Sequence, residues 1–466
     1  MDQRLDRVRR APQRDPRAVP LWWRDASGAA FWAVLLFVTV LWVSNGGIQD
    51  LGAVGSALIS LGRITGLVAS ALLLVQVLLM ARVPWFEQAW GQDDLARLHR
   101  LVGFTSFTLM LAHVVLVTLG YAASSPQGLV GTAVDLVLHY PGMLIALAGT
   151  IALVMVALTS VKAARRRLRY ESWHLLHLYA YLGAGLALPH QLWTGQEFLL
   201  STASTVFWWT LYALSVGAVL GYRVGMPLWR SVRGGLRVSD VRRELPGVVT
   251  VRVTGPGVAR MPVRAGQFFQ WRFLDGPGWT RGHPYSISAA PDGRSLQVTV
   301  AEVGDGTSRL ARMRVGTRVL VEGPYGRLHP GVRTCQKVLL MGSGIGITPM
   351  KALLEELPAY PGDVTVVHRV RSRAEAVFHR DLTRIAAARG ARYILVEGPR
   401  VRERASWLPE QARHLDDVQA LRELVPDVEE HEVYICGSAG WMDAVEAAAH
   451  EAGVPHQQVH LERFSY

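Results

Sequence analysis

Four histidines fall into two pairs at matched spacing, His99 with His113 in one apolar stretch and His177 with His190 in another. An ionisable side chain in a stretch of membrane-spanning length is expensive and marks function. A neutral imidazole is also a ligand for haem iron. The step from His99 to His113 spans about 21 Å of helix and returns the second ring nearly to the first one's face. The step from His177 to His190 rises almost as far but ends about 140° off that face. Pro189 directly precedes His190 and breaks the hydrogen-bond ladder where a bulge or kink would correct the mismatch. Two such helices side by side would pair His99 with His177 and His113 with His190, clamping two stacked b-type haems. His174, one turn before His177, is a rival ligand; if His177 ligates, His174 is left for a haem propionate or the interface. Arg63 lies inside a further apolar stretch and needs a partner. A propionate of the outer haem is the first expectation, and it would place a positive field beside the electron acceptor; snorkelling to the outer surface is the alternative.

A second set of motifs follows Tyr222. His283-Pro284-Tyr285-Ser286-Ile287-Ser288 reads as a strand whose tyrosine and small hydroxyls can stack on and hydrogen-bond an isoalloxazine. Gly304-Asp305-Gly306-Thr307-Ser308-Arg309 offers backbone N–H groups and a guanidinium to a diphosphate. Gly342-Ser343-Gly344-Ile345-Gly346-Ile347-Thr348-Pro349 follows a buried apolar run and leads into a helix, a turn that lets backbone approach a pyrophosphate. Its spacing is not the usual dinucleotide fingerprint. The next strand is followed by Arg369, Arg371, Ser372 and Arg373, with no acidic residue at its tip for a ribose 2′-hydroxyl. That favours the 2′-phosphate of NADPH over NADH, a solvated basic loop being the other reading. Cys436-Gly437 at a later strand end suits a nicotinamide ring, and a terminal aromatic, Phe464 or Tyr466, can cover the flavin.

The elements that must position these groups divide the chain in two. Length alone suggests about three domains in 466 residues. Six stretches are long enough to span a bilayer: Gly28–Ile48, Ser56–Ala81, His99–Tyr121, Pro141–Val161, Trp173–Trp193 and Thr205–Tyr222. No short apolar stretch ending in a small-residue cleavage site opens the chain. The net charge of +12 is a topology signal and not a nucleic-acid footprint. Basic residues gather before the first span (Arg4 to Arg24), in the second connection (Arg82, Arg97) and in the fourth (Lys162, Arg165, Arg166, Arg167, Arg169). The connections Gln49–Gly55, Ala122–Tyr140 and Thr194–Ser204 contain no Lys or Arg. This alternation places the N-terminus and everything after Tyr222 in the cytoplasm. The two cysteines, Cys335 and Cys436, form neither a disulfide framework nor a Cys-x-x-Cys-His haem attachment nor a four-cysteine cluster. Beyond the spans, Val248–Val253, Gln267–Phe273, Leu296–Ala301 and Val319–Glu322 predict a small antiparallel barrel. From Lys337 the pattern is βαβ, with strands at Val338–Met341, Val364–His368 and Val433–Cys436 and helices at Met350–Leu357 and Trp441–Ala452.

On His99/His113 and His177/His190, His283–Ser286, Gly342–Pro349, Cys436-Gly437 and Glu462-Arg463-Phe464, the chain resembles the NADPH oxidase and ferric reductase superfamily. The resemblance implies a ferric-reductase-like six-helix domain fused to a ferredoxin–NADP reductase-type module. The expected domains are a disordered basic tail (1–25), a transmembrane bis-haem domain (26–224), an FAD-binding β-barrel (225–335) and an NAD(P)H-binding α/β domain (336–466). Ser438 stands where the family often has proline, and no calcium-binding loop is apparent. The implied activity carries electrons from NADPH through FAD and two b-type haems to O2, giving superoxide, with a ferric chelate or a periplasmic partner protein as alternative acceptors. The compact length resembles a prokaryotic member; a homo-oligomer is possible on this resemblance.

Overall fold

The computed structural model describes residues 22–161, 164, 170–276, 282–302 and 305–463. The expected tail up to residue 21, the basic connection at Lys162 and Arg165–Arg169, Gly304, Phe464 and Tyr466 lie outside the described residues. Contacts divide the chain into two units that meet at Val224 and Gly225.

The N-terminal unit is helical: α1 (Trp22–Ser44), α2 (Val54–Leu79), α3 (Pro84–Trp90), α4 (Gln92–Ala122), α5 (Gly128–His139), α6 (Met143–Ser160), α7 (Tyr170–Trp193), α8 (Gln196–Leu199) and α9 (Thr202–Ala218). Among the described residues, five helical segments are long and apolar enough to cross a membrane: Trp22–Ser44, Val54–Leu79, Asp94–Ala122, Met143–Ser160 and Thr202–Gly234. The expected fifth span is helical as α7, 24 residues long, but it is not one of those five. Its three histidines and its tyrosines dilute the apolar run, so six spans by sequence become five by composition. Small residues let these helices approach closely without a hydrophobic force between them. At the α6–α7 crossing a Cβ on Gly149 would lie 2.9 Å from the Gly183 carbonyl oxygen. Polar side chains join other helices: Ser106 Oγ donates to the Ala69 carbonyl (2.8 Å), and Tyr212 Oη to Gln191 Oε1 (2.7 Å).

The C-terminal unit opens with α10 (Met226–Gly234) and six antiparallel strands: β1 (Arg237–Leu245), β2 (Val248–Thr254), β3 (Phe268–Phe273), β4 (His283–Ser286), β5 (Ser295–Ala301) and β6 (Val319–Tyr325). They form two three-stranded sheets, β1-β2-β5 and β4-β3-β6. Val249, Val251, Val253, Phe269, Trp271 and Val298 fill the core they share. Single bridges, Arg237–Arg318 and Ile287–Val298, touch across the seams. No continuous ladder closes them, so the expected barrel is a pair of sheets. β1 escaped the sequence reading because its charged residues mask the inward positions that Val238 and Val241 occupy.

After α11 (Asp305–Leu310), the chain builds a parallel five-stranded sheet in the order β11-β10-β7-β8-β9. Its elements are β7 (Lys337–Ser343), α12 (Ile347–Glu356), β8 (Val364–Val370), α13 (His379–Arg389), β9 (Arg392–Glu397), α14 (Asp417–Leu424), β10 (His431–Cys436), α15 (Ala439–Glu451) and β11 (Val459–Leu461). All seven residues of β8 are buried, as a central strand covered by helices on both faces requires. The order reverses at β7, which places a crevice at the carboxyl ends of β7 and β10.

Candidate functional site

The helical unit brings the four histidines together in the expected pairs. The rings of His99 and His177 have centroids 5.9 Å apart, and those of His113 and His190 are 6.5 Å apart. Two imidazoles on one metal, with bonds of about 2 Å each, set their ring centres about 6 Å apart. Each ring is also anchored at Nδ1. His99 donates to the Gln76 carbonyl (3.2 Å), His113 to the Gly62 carbonyl (2.7 Å) and His190 to the Ala187 carbonyl (2.6 Å), while His177 Nδ1 meets Ser160 Oγ (3.2 Å). A carbonyl only accepts, so three of the rings carry their proton on Nδ1, which leaves Nε2 a lone pair that could ligate a metal. Gly66 makes the His113 anchor possible: a Cβ there would fall 2.5 Å from His113 Nδ1. Pro189 stands inside α7 immediately before the second ligand candidate. Among the described residues no group of three or more His, Cys, Asp or Glu could hold a metal by itself; two ligands per iron suffice for haem.

Arg63 takes different partners from those expected. Its guanidinium binds the Glu197 and Asp50 carboxylates, the latter at 2.9 Å, and the Asn45 carbonyl at 3.1 Å. Two carboxylates therefore stand where the sequence suggested a propionate, and they cancel the positive field that Arg63 would otherwise offer an acceptor.

In the C-terminal unit, β4 carries His283, Pro284, Tyr285 and Ser286. The His283 and Tyr285 rings stack, 5.8 Å apart and 8° from parallel. Trp271 Nε1 fixes the strand by donating to the Tyr285 carbonyl (3.0 Å). The Ser286 hydroxyl is buried and has no hydrogen-bond partner among the described residues, a debt that a ligand polar atom would settle. Ser288 is instead spent inside the protein: it is fully buried and its Oγ accepts from Thr299 (2.8 Å). Gly306, Thr307 and Ser308 lie in the short helix α11, and Arg309 of that helix faces Asp275 at 3.5 Å.

The glycine-rich turn departs from its expected limits. β7 runs through Gly342 and Ser343, and α12 begins at Ile347, so Thr348 and Pro349 belong to its first turn. Proline is tolerated there because the first-turn N–H groups lack helical partners. Gly344 has φ +54°, and a Cβ on Gly346 would collide with the Cys436 carbonyl oxygen. Bare backbone thus lets the turn meet the end of β10. Burial, with Glu462 adding, pushes the Cys436 thiol up to about 12, so it stays protonated. Gly437 packs against Ser343 and the Trp441 ring.

Of the three arginines, one lies within β8 and is not free for a phosphate. Arg369 is buried, and its guanidinium donates to the carbonyls of Trp407, Val370, Gly398 and Pro399. It ties loops to the sheet. Arg371 and Arg373 are exposed. The sequence reading also missed α12 as a strap. Lys351 Nζ donates to the Ser288 carbonyl (3.2 Å), and the Glu355 and Glu356 carboxylates accept from Ala290 and Ala265 N–H.

Comparison with known proteins agrees with this division. Residues 65–188 match the ferric reductase like transmembrane component, and residues 340–447 match the oxidoreductase NAD-binding domain. Ferredoxin–NADP reductase B of Sorangium cellulosum is 30% identical over 198 residues, 40% of this chain and 80% of that protein. An NADPH oxidoreductase of Mycobacterium tuberculosis is 26% identical over 250 residues, 51% of this chain and 62% of the relative. The ferredoxin reductase component of 3-ketosteroid-9-alpha-monooxygenase from the same species is 29% identical over 210 residues, 44% of this chain and 56% of the relative. The chain thus spans under two thirds of the length of these mycobacterial relatives. A ferredoxin NADP+ reductase from Neisseria gonorrhoeae with bound FAD and NADP covers 49% of this chain and 96% of its own, at TM-score 0.40 and 19% identity. The chain belongs to the ferredoxin–NADP reductase-type oxidoreductases and carries a ferric-reductase-like transmembrane component. One chain thus joins a ferric-reductase-like transmembrane component to an oxidoreductase NAD-binding domain.

Proposed function

We propose that the chain transfers electrons from cytoplasmic NADPH to O2 on the opposite side of the membrane, giving superoxide, with FAD and two b-type haems as its redox groups. The observation that carries this reading is the pair of facing histidine couples, each ring tethered at Nδ1, within a ferric-reductase-like domain. His99 and His177 would hold the inner haem, and His113 and His190 the outer one. FAD accepts a two-electron hydride and releases electrons singly, the conversion that one-electron haem iron requires.

The protein's own residues bind and orient. Tyr285 and Ser286 present a ring and an unsatisfied hydroxyl to the flavin, and Gly306, Thr307 and Ser308 border it. Gly342, Gly344 and Gly346 bring backbone to the pyrophosphate, with Thr348 and Pro349 opening the helix behind. Cys436-Gly437 at the end of β10, with its neutral thiol, would border the nicotinamide, and Arg371 and Arg373 would receive the 2′-phosphate. Phe464 is assigned to cover the flavin.

The Arg63 ion pairs favour O2 over an anionic ferric chelate, because a neutralised arginine attracts no anion. Purified protein in lipid, given NADPH, tests the acceptor. Superoxide dismutase should block cytochrome c reduction. Insensitivity to the dismutase together with fast reduction of a ferric chelate would give a ferric reductase. Turnover on neither would leave electron supply to a partner protein, the role that the relatives' names describe.

A further inference from the structure

Arg373 is exposed at the start of a 3-10 turn after β8, and a guanidinium held only by solvent loses rotamer entropy when a ligand fixes it. This one is not left to solvent. Its Nη2 lies 3.1 Å from Nε2 of His379, at the start of α13. His379 Nδ1 lies 3.2 Å from Tyr393 Oη on β9, and Tyr393 Oη lies 3.1 Å from Nδ1 of His368 on β8. His368 is wholly buried, and its strand position pairs with Gly342. Its Nε2 is buried, and the Gly344 backbone is the hydrogen-bonding group beside it.

Donor and acceptor chemistry gives this chain one direction. A guanidinium only donates, so His379 Nε2 accepts and its proton sits on Nδ1. That proton goes to Tyr393 Oη, leaving the tyrosine's own proton for His368 Nδ1. His368 must then carry its proton on Nε2, at the glycine-rich turn. One ordered set of hydrogen bonds therefore runs from the turn assigned to the pyrophosphate to the arginine assigned to the 2′-phosphate.

We propose that His379, Tyr393 and His368 are positioning residues that hold Arg373 ready for the 2′-phosphate, and so set the preference for NADPH over NADH. This rests on the NADPH reading above. The two nucleotides differ only at that phosphate, so loosening Arg373 weakens NADPH binding and leaves NADH untouched. Arg369 makes the contrast: it lies within β8 next to His368, but four carbonyls hold it and it has no share in the discrimination.

The test measures kcat and KM for both nucleotides with ferricyanide as acceptor, on the full-length protein in detergent. Tyr393→Phe keeps the ring and deletes the link, and His379→Ala deletes the acceptor. Each should raise KM for NADPH about 3- to 10-fold, the worth of one hydrogen bond, with kcat and the NADH parameters unchanged. His379→Gln, which restores an acceptor, should recover part of the loss. Unchanged KM ratios in Tyr393→Phe and His379→Ala would overturn the proposal, as would equal losses for both nucleotides. Arg373→Ala separates the two levels. If it erases a wild-type NADPH preference that the chain variants keep, the positioning idea fails and the NADPH reading stands. A wild-type enzyme with no such preference overturns both.

Discussion

A Ser286→Ala substitution removes a buried hydroxyl that no group among the described residues satisfies. Its loss should leave the apo fold as stable as before, because no hydrogen bond within the protein is broken. FAD affinity should fall about 3- to 10-fold, one hydrogen bond's worth, as read by flavin release on dilution. A Gly66→Ala substitution puts a methyl group 2.5 Å from His113 Nδ1 and pushes the ring from the Gly62 carbonyl. Haem content should drop from two per chain to one, counted by pyridine haemochrome. At this scale the facing histidine pairs were legible, because the length of each step sets which rings lie level on neighbouring helices. The arginines were not. The sequence shows that Arg63, Arg369 and Arg373 are basic, but not that carboxylates take the first, carbonyls the second and a histidine the third. Ser286 and Ser288 are equally alike as letters; only the Thr299 bond to Ser288 tells them apart.

Helices and strands were read best where burial follows a simple period. β8 is buried throughout and stood out, whereas β1, half exposed and charged, did not. α12 was begun three residues late because Pro349 looked like the end of a turn; in the structure it occupies a first turn, where its missing N–H costs nothing. α7 was read as a span on its apolar residues, and its polar ligand candidates keep it below the apolarity of its neighbours. It depends on α6 for its seat. Gly149→Leu forces a side chain towards the Gly183 carbonyl and should displace α7 as a body, carrying His177 and His190 together. The expected result is loss of both haems, unlike the single loss in Gly66→Ala. A variant with full haem content would show that this crossing does not set the ligands.

The whole molecule divides into two units of opposite character, one apolar and helical, the other built on β-sheets. The second should be acid-labile. Burial holds the His368 imidazole down to about 4, and burial with Arg264 beside it holds His329 down to about 3. Both are neutral when folded, while the unfolded chain protonates them near the ordinary value of about 6.5. Stability is therefore complete above that pH and is lost as pH falls towards 4 and 3. Flavin release from the full-length protein should show this slope, and a flat profile between pH 6.5 and 4 would exclude it. The central claim, that one chain links a nicotinamide site to two bis-histidine haems, is tested most directly by an anaerobic reduced-minus-oxidised optical spectrum. The account predicts that NADPH alone raises sharp low-spin b-type bands at two haems per chain. Haem that only dithionite reduces, or protein that binds no haem when it is supplied, would contradict it.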